Sequence, residues 1–408
     1  MYIRKLLFTG ALMTSLWAAD VPLTIRFSEL GDIMLKSSSH VKISNLSVDR
    51  IQTERDAALQ WSNPSINIAY ETVKNGNDIE REQMLSFEKN LRMPWNIQNE
   101  KNAWKSELHA AESSHQQRLN DLKAEVNTGY VQLRILQQQI DQFTELKQIY
   151  QRFQDIIDAN LEEGNVSPLD AHLLSVGLFG LETERLDMEK EYRETLSNWK
   201  QLLGLNDEKA VILTTPVDFH IATGKLPQLD EALKTHVGLK SLSEFNKAAD
   251  YRLALEKGQR FPDLSIEGGF KQVAPSFRGY VMGLSLPIPL MNRNNARIEQ
   301  QKISQDQIQQ ETELYRQTIS AETRNLGKTV QTCAELLSNY TGTKYLADRL
   351  EDLLAAYREG SISLPDALSA IDIYKSGVRS FGDQLNTYYA AIFRLEAISD
   401  TTLIQFTE

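Results

Sequence analysis

Glu163-Gly164-Asn165-Val166-Ser167-Pro168-Leu169-Asp170-Ala171 returns later in the chain as Glu359-Gly360-Ser361-Ile362-Ser363-Leu364-Pro365-Asp366-Ala367, with Gly, Ser, Asp and Ala all displaced by 196 positions (360 − 164). That is almost half of the 408 residues. Solenoid repeats have periods of roughly 20 to 50 residues, so this offset marks a duplicated half and not a repeat array. Each copy has the chemistry of two helix ends joined by a short loop. Gly164 and Gly360 suit the left-handed residue that closes a helix, and Ser167 and Ser363 suit N-caps with Asp170 and Asp366 three residues on. Pro168 falls at the first helical position, where proline is favoured.

Working back from the first loop, apolar residues recur at Leu119, Leu122, Val126, Tyr130, Leu133, Leu136, Ile140, Phe143, Leu146, Tyr150, Phe153, Ile157 and Leu161. Twelve steps over 42 residues (161 − 119) give a mean of 3.5, a heptad seam that implies left-handed supercoiling against a partner helix. Between Pro94 and Gly164 such a helix reaches ~100 Å at about 1.5 Å per residue. The seam resumes after the loop from Leu174 to Leu202 and stops at Gly204. After the second loop it runs from Leu368 to Leu395, and the segment feeding that loop, Asn292 to Glu359, is as long as its counterpart. Each half is therefore expected to hold a long antiparallel helical hairpin.

Ahead of each long helix lies an alternating stretch opened by proline, Pro64 to Tyr70 and Pro262 to Gly268, displaced by 198 (262 − 64). A second strand-like run follows each, Gln83 to Leu91 and Gly279 to Leu286, with turn residues Asn75-Gly76-Asn77 and Ala274-Pro275-Ser276 between. Period-two alternation with such turns predicts one β-hairpin per half. Tyr280, Met282, Leu284 and Leu286 share one face, opposite Gly279, Val281, Gly283 and Ser285. Ile66, Ile68, Tyr70, Leu85 and Phe87 are the corresponding membrane-strand candidates of the first half. Strands of about 9 to 11 residues cross a bilayer when tilted, but a closed barrel needs about eight or more of them, so four must find partners in other copies.

The first residues predict an export signal over 1–18: Arg4 and Lys5, an apolar run from Leu6 to Leu16, and cleavage ahead of Ala19. No later stretch reaches the ~18 apolar residues of a transmembrane helix. Without residues 1–18 the balance is 42 basic (44 − 2) against 55 acidic side chains, a net charge of −13, which argues against nucleic acid as a partner. The single Cys333 allows no intrachain disulfide, and no Cys follows the signal, so no N-terminal lipid anchor is expected. No G-x-S-x-G, H-E-x-x-H, Walker A or G-x-G-x-x-G run is present, and His40, His109, His115, His172, His220 and His236 do not pair at ligand spacing. No catalytic residue, cofactor or metal site is predicted.

Signal, helix, hairpin, long helix, E-G-x-x-S loop and returning helix, then the whole set again, resembles the TolC-like outer-membrane efflux factor family over nearly the full mature chain. The residues that carry the resemblance are the two glycine loops, Asn63-Pro64 and Phe261-Pro262-Asp263-Leu264 before the strands, and Leu196 through Leu202-Leu203-Gly204. Ser285-Leu286-Pro287-Ile288-Pro289-Leu290-Met291-Asn292-Arg293-Asn294 resembles the strand-to-helix corner of the heavy-metal cation branch. The fold so implied is mostly α with a small β part: coiled-coil hairpins forming an α-barrel, and four membrane strands per protomer in a trimeric twelve-stranded β-barrel. Its parts are the signal peptide 1–18, a first repeat 19–204 (β-hairpin about 64–91, tip 163–168), a connector 205–229 and a second repeat 230–408 (β-hairpin about 262–287, tip 359–365).

The resemblance further implies a homotrimer in outer-membrane lipid that serves a periplasmic adaptor (membrane fusion) protein and an inner-membrane pump of the RND type, exporting heavy-metal cations. Drug efflux and type I secretion are the alternatives within the fold, and a soluble periplasmic coiled-coil protein is the alternative outside it. In the family the glycine loops are periplasmic tips, so Gly164, Asn165, Val166, Ser167, Gly360, Ser361, Ile362 and Ser363 are the adaptor-contact candidates. Val166, Ile362 and Leu364 are expected to be exposed there, awaiting a covering surface. Asp366 matches the first of two family pore carboxylates, while Ser369 stands where the second would fall. Tyr357 matches a tyrosine that latches neighbouring helices. Asp366 is also the N3 acid of a capping box, as Asp170 is at the first loop, and gate and cap are compatible roles.

Overall fold

The computed structural model describes residues 22–76, 78–162, 167–222, 226–273, 277–340 and 346–406. The export-signal residues 1–18 lie outside them. The first half runs β1 (Leu23–Ile25), α1 (Leu30–Ser37), α2 (Ser39–Leu59), β2 (Ser65–Asn75), β3 (Asp78–Leu91), α3 (Pro94–Glu162) and α4 (Pro168–Leu203). The second runs β4 (Val211–Leu213), α5 (Leu229–Thr235), α6 (Val237–Gly258), β5 (Leu264–Val273), β6 (Phe277–Ser285), α7 (Asn295–Asn339), α8 (Leu346–Arg358) and α9 (Leu364–Ser399).

The heptad seam of α3 is its buried face. Leu122, Val126, Tyr130, Leu133, Phe143, Leu146, Tyr150, Phe153 and Ile157 are all buried, as are Leu174, Leu181, Met188 and Trp199 of α4 and Ile371, Val378, Leu385, Tyr388 and Ile392 of α9. α3 packs against α2 and α6 towards its start and against α4 and α9 towards its end, while α7 packs against α6 and α9. The helices thus stand side by side, with α2 and α4 at one edge and α7 at the other. At 69 residues, α3 is roughly 100 Å long.

Two large apolar cores and a small one around Ala232, Ile319 and Ile398 lie along this array. One large core gathers Tyr130, Trp199, Tyr388, Tyr389 and Phe393 around Ile25 and Ile404, where β1 pairs in parallel with β4. The other gathers Phe143, Tyr150, Phe153, Leu174, Leu350 and Leu364 near the loops. Gly204 ends α4 at φ 71°, and a Cβ there would lie 2.3 Å from the Ser37 carbonyl oxygen, so both conformation and space require glycine.

The predicted hairpins join into one antiparallel sheet in the order β2-β3-β5-β6. β3 starts at Asp78, earlier than Gln83, with Asn75 of β2 paired to Asp78. The second long helix departs from expectation. It stops at Asn339, Tyr340 turns extended (φ −92°, ψ 116°), and the helix resumes as α8 at Leu346. Tyr340 is followed in sequence by Thr341-Gly342-Thr343, which are poor helix formers.

Candidate functional site

The second loop is closed by paired caps. At the end of α8 the Gly360 amide donates to the Tyr357 carbonyl (3.0 Å) and the Ser361 amide to the Ala356 carbonyl (2.9 Å), with Gly360 at φ 71°, a Schellman closure. At the start of α9 the Ser363 hydroxyl accepts from the Asp366 amide, and the Asp366 carboxylate accepts from the Ser363 amide (3.4 Å) and hydroxyl (2.6 Å). Asp366 is therefore a capping residue, exposed and tied to Ser363. Ser369 donates its hydroxyl to the Pro365 carbonyl (2.8 Å), a bond within its own helix.

At the first loop Ser167 is the N-cap of α4, accepting from the Leu169 amide, with Pro168 next. Gly164, Asn165 and Val166 lie outside the described residues. The ends of the two helical hairpins meet. The Tyr357 ring stands 5.2 Å from that of Phe153, and Arg152 of α3 pairs with Glu351 of α8. Burial pushes the Tyr357 phenol up, and the negative charge of nearby Asp170 adds to the shift. Tyr357 and Asp170 are thus brought together, whereas Asp366 is occupied with its own cap.

One expectation about the tip is corrected. Leu364 is buried and Ile362 half-buried, both packed into the core that also holds Leu350 and Leu354, while the capping Ser363 between them stays exposed. The most exposed apolar residues of this end are Leu169 (63% exposed), Val176 and Phe179 (75%) on α4 and Ile373 on α9. They lie off the seam positions, and that is the sequence signal by which they are recognisable.

The far end of the molecule is the sheet, whose pairing register assigns each residue to a face. Ile66, Phe87, Gly268 and Met282 form one cross-strand row, and Ile68, Leu85, Phe270 and Tyr280 the next. Ile266 and Leu284 continue this face towards the helices, and Leu286 follows the last residue of β6. Tyr70 lies on it too, towards the turns. The face is apolar yet open: Met282 is 92% and Tyr280 88% exposed. The opposite face carries Glu71, Glu80, Glu82, Glu88 and Glu267, with Glu71 directly opposite Glu82 and Glu88 opposite Glu267. Lys271 reaches Glu82 (2.6 Å) and the Ser86 hydroxyl donates to Glu267 (2.5 Å). Like charges set directly across strands are unfavourable, so this face suits water, not a core. Among the described residues, the outer edges of β2 and β6 are unpaired.

Among the described residues no helix is long and apolar enough to cross a membrane, and no group of three His, Cys, Asp or Glu side chains is placed to hold a metal ion. The sequence model of the outer membrane efflux protein family matches residues 229–371. No curated protein matches the sequence. Solved structures share the fold over most of the chain. The outer-membrane channel OprN is 17% identical over 91% of this chain and 89% of its own, at a TM-score of 0.76. CusC, whose structures concern folding and transmembrane channel formation, is 17% identical over 91% and 90%, at 0.72. The Campylobacter jejuni CmeC outer membrane channel is 14% identical over 91% and 85%, at 0.76. The chain thus resembles outer-membrane efflux proteins in sequence over much of its second half, and it has the TolC-like channel fold.

Proposed function

We propose that the chain belongs to the outer membrane efflux protein family and works as one protomer of a passive exit duct. Three copies close twelve strands into a barrel across the outer membrane, and the helices continue it as a hollow cylinder in the periplasm. The observation that carries this reading is the sheet: an exposed apolar face, an acidic face behind it and two open edges, at one end of ~100 Å helical hairpins. Open sheet edges do not persist in hydrocarbon, so closure with other copies is what lets such a sheet span.

At the other end, the tips at 163–168 and 359–365 dock a periplasmic adaptor serving an inner-membrane pump of the RND type, with exposed Leu169 beside them. Tyr357 and Asp170 latch the closed end, and three copies of Asp366 ring the pore with negative charge, which favours cations. The acidic sheet face and the Leu286-Pro287-Ile288-Pro289 corner support heavy-metal cations as cargo. The test is fractionation with crosslinking in a Gram-negative host, followed by deletion. The proposal expects a detergent-requiring trimer in the outer membrane and a deletion strain sensitive to metal cations. A soluble monomer would sink the channel, and unchanged metal tolerance with lost drug tolerance would refute the cargo alone.

A further inference from the structure

The sheet separates its charges by face. All five carboxylates named above stand on the water-facing side, and so does Lys271, which is paired with Glu82. The other cations, Lys74, Arg81, Lys89 and Arg278, stand on the apolar side. Register fixes this: Arg278 shares a row with Gln272, Gln83 and Tyr70, Arg81 pairs with Thr72, and Lys74 pairs with Ile79. Lys89 shares the row of Ile266 and Leu284 at the helix end, where it lies over the Trp61 ring at 5.7 Å.

Lys74, Arg81 and Arg278 cluster at the other end, beside the turns. All three are exposed, and among the described residues none has an ion pair or hydrogen bond. Lys74 and Arg81 are diagonal neighbours on paired strands, close enough to repel. Their spacing from Lys89 matches a membrane. Arg81 is eight residues from Lys89 on β3 (89 − 81), ~27 Å along the strand and roughly 20 Å along the membrane normal at the usual barrel tilt. Ile79, paired with Lys74, lies two residues further, at roughly 25 Å. Outer-membrane barrels carry an apolar band about 25 Å tall, so the cations bracket the band.

Resting on the exit-duct reading, we infer that Lys74, Arg81 and Arg278 form a rim on the outward face of the barrel that binds the phosphate groups of glycolipid in the outer leaflet. The helices leave the sheet at the Lys89 end and are periplasmic in that reading, so the turn end faces the exterior. An unpaired cation at the margin of an apolar band is stabilised by a phosphate at the same depth, and two guanidinium groups can each hold one bidentately. Arg278, one row deeper than Arg81, extends its side chain towards the same level.

The experiment measures binding of bisphosphorylated lipid A, its dephosphorylated form and inorganic phosphate to the full chain in uncharged detergent. Chains carrying Lys74→Gln, Arg81→Gln and Arg278→Gln together are compared with Lys271→Gln on the opposite face. The expected result is a preference for the phosphorylated lipid of roughly tenfold or more, from three cations acting together, lost in the triple variant and kept in Lys271→Gln. Equal affinity for both lipids, or a preference that survives the triple variant, would overturn the rim. Inorganic phosphate binding as tightly as the lipid would overturn it too. A chain that conducts in bilayers but lacks the preference loses only the rim; one that never enters bilayers loses the exit-duct reading as well.

Discussion

The two long helices, α3 and α7, descend from the same repeated pattern and live in different surroundings. α3 runs 69 residues without a break, flanked on both sides, whereas α7 ends after 45 residues and stands at the edge of the array. Gly129 of α3 and Gly327 of α7 sit at equivalent positions, 198 apart (327 − 129). A Cβ on Gly129 would come within 2.5 Å of the Trp199 ring, while one on Gly327 would meet nothing within 4 Å. Duplication therefore repeats the elements, and the neighbours each copy acquires decide which residues the fold depends on.

The contrast is broken or sharpened first by truncating side chains. Trp199→Ala, in the core beside α3, is expected to cost about 3–5 kcal/mol of stability in chemical unfolding. Leu314→Ala on exposed α7 should change one chain's stability by no more than about 0.5 kcal/mol. A large loss at Leu314 would show that another copy covers this edge. Next come the paired glycines. Gly129→Ala should destabilise by about 1–3 kcal/mol, because the Trp199 indole is buried and bonded to the Val126 carbonyl (2.8 Å) and has nowhere to move. Gly327→Ala should stabilise by about 0.5–1 kcal/mol through helix propensity, and equal signs at the two sites would break the contrast.

The smallest effect concerns two matched N-caps, Ser38 of α2 and His236 of α6, again 198 apart (236 − 38). Nδ1 of buried His236 accepts from the Gly238 and Leu239 amides, and burial holds its pKa below the usual histidine value, with Asp121, Arg394, Glu322 and Tyr315 nearby. The folded state thus prefers neutral His236, so its contribution is present above the unfolded pKa of about 6.5 and lost as pH falls below it. The melting temperature should fall between pH 7.5 and 5.5, and His236→Asn, which keeps a capping acceptor, should flatten that part of the slope. An unchanged slope would remove the role assigned to His236.

Much of this was legible in the sequence. The heptad seams name the buried faces of α3, α4 and α9, and the prolines at 64 and 262 mark the strands that follow. Ser363 and Asp366 form the capping box their spacing predicts. Other features depend on tertiary context. Leu364 lies close to the loop glycine in sequence, yet the cap swings it into the core. α7 ends at Asn339, where the sequence enters a short stretch of weak propensity inside a long periodic pattern. The joining of the halves through β3 and β5, which sets Glu82 and Glu88 on the face of Glu267 and Phe87 and Leu85 on that of Phe270, is a long-range pairing that no local pattern contains.

That separation of faces is the centre of the account, and adjacent residues of β2 test it. Ile68 lies on the apolar face and Ala69 on the acidic one. Spin labels are placed at each position in a chain whose buried Cys333 is replaced by alanine, reconstituted in bilayers, and their collision rates with oxygen and a water-soluble nickel chelate are compared. The account predicts that the label at 68 meets oxygen and is shielded from the chelate, while the label at 69 meets the chelate. Free access of the chelate to both would contradict it.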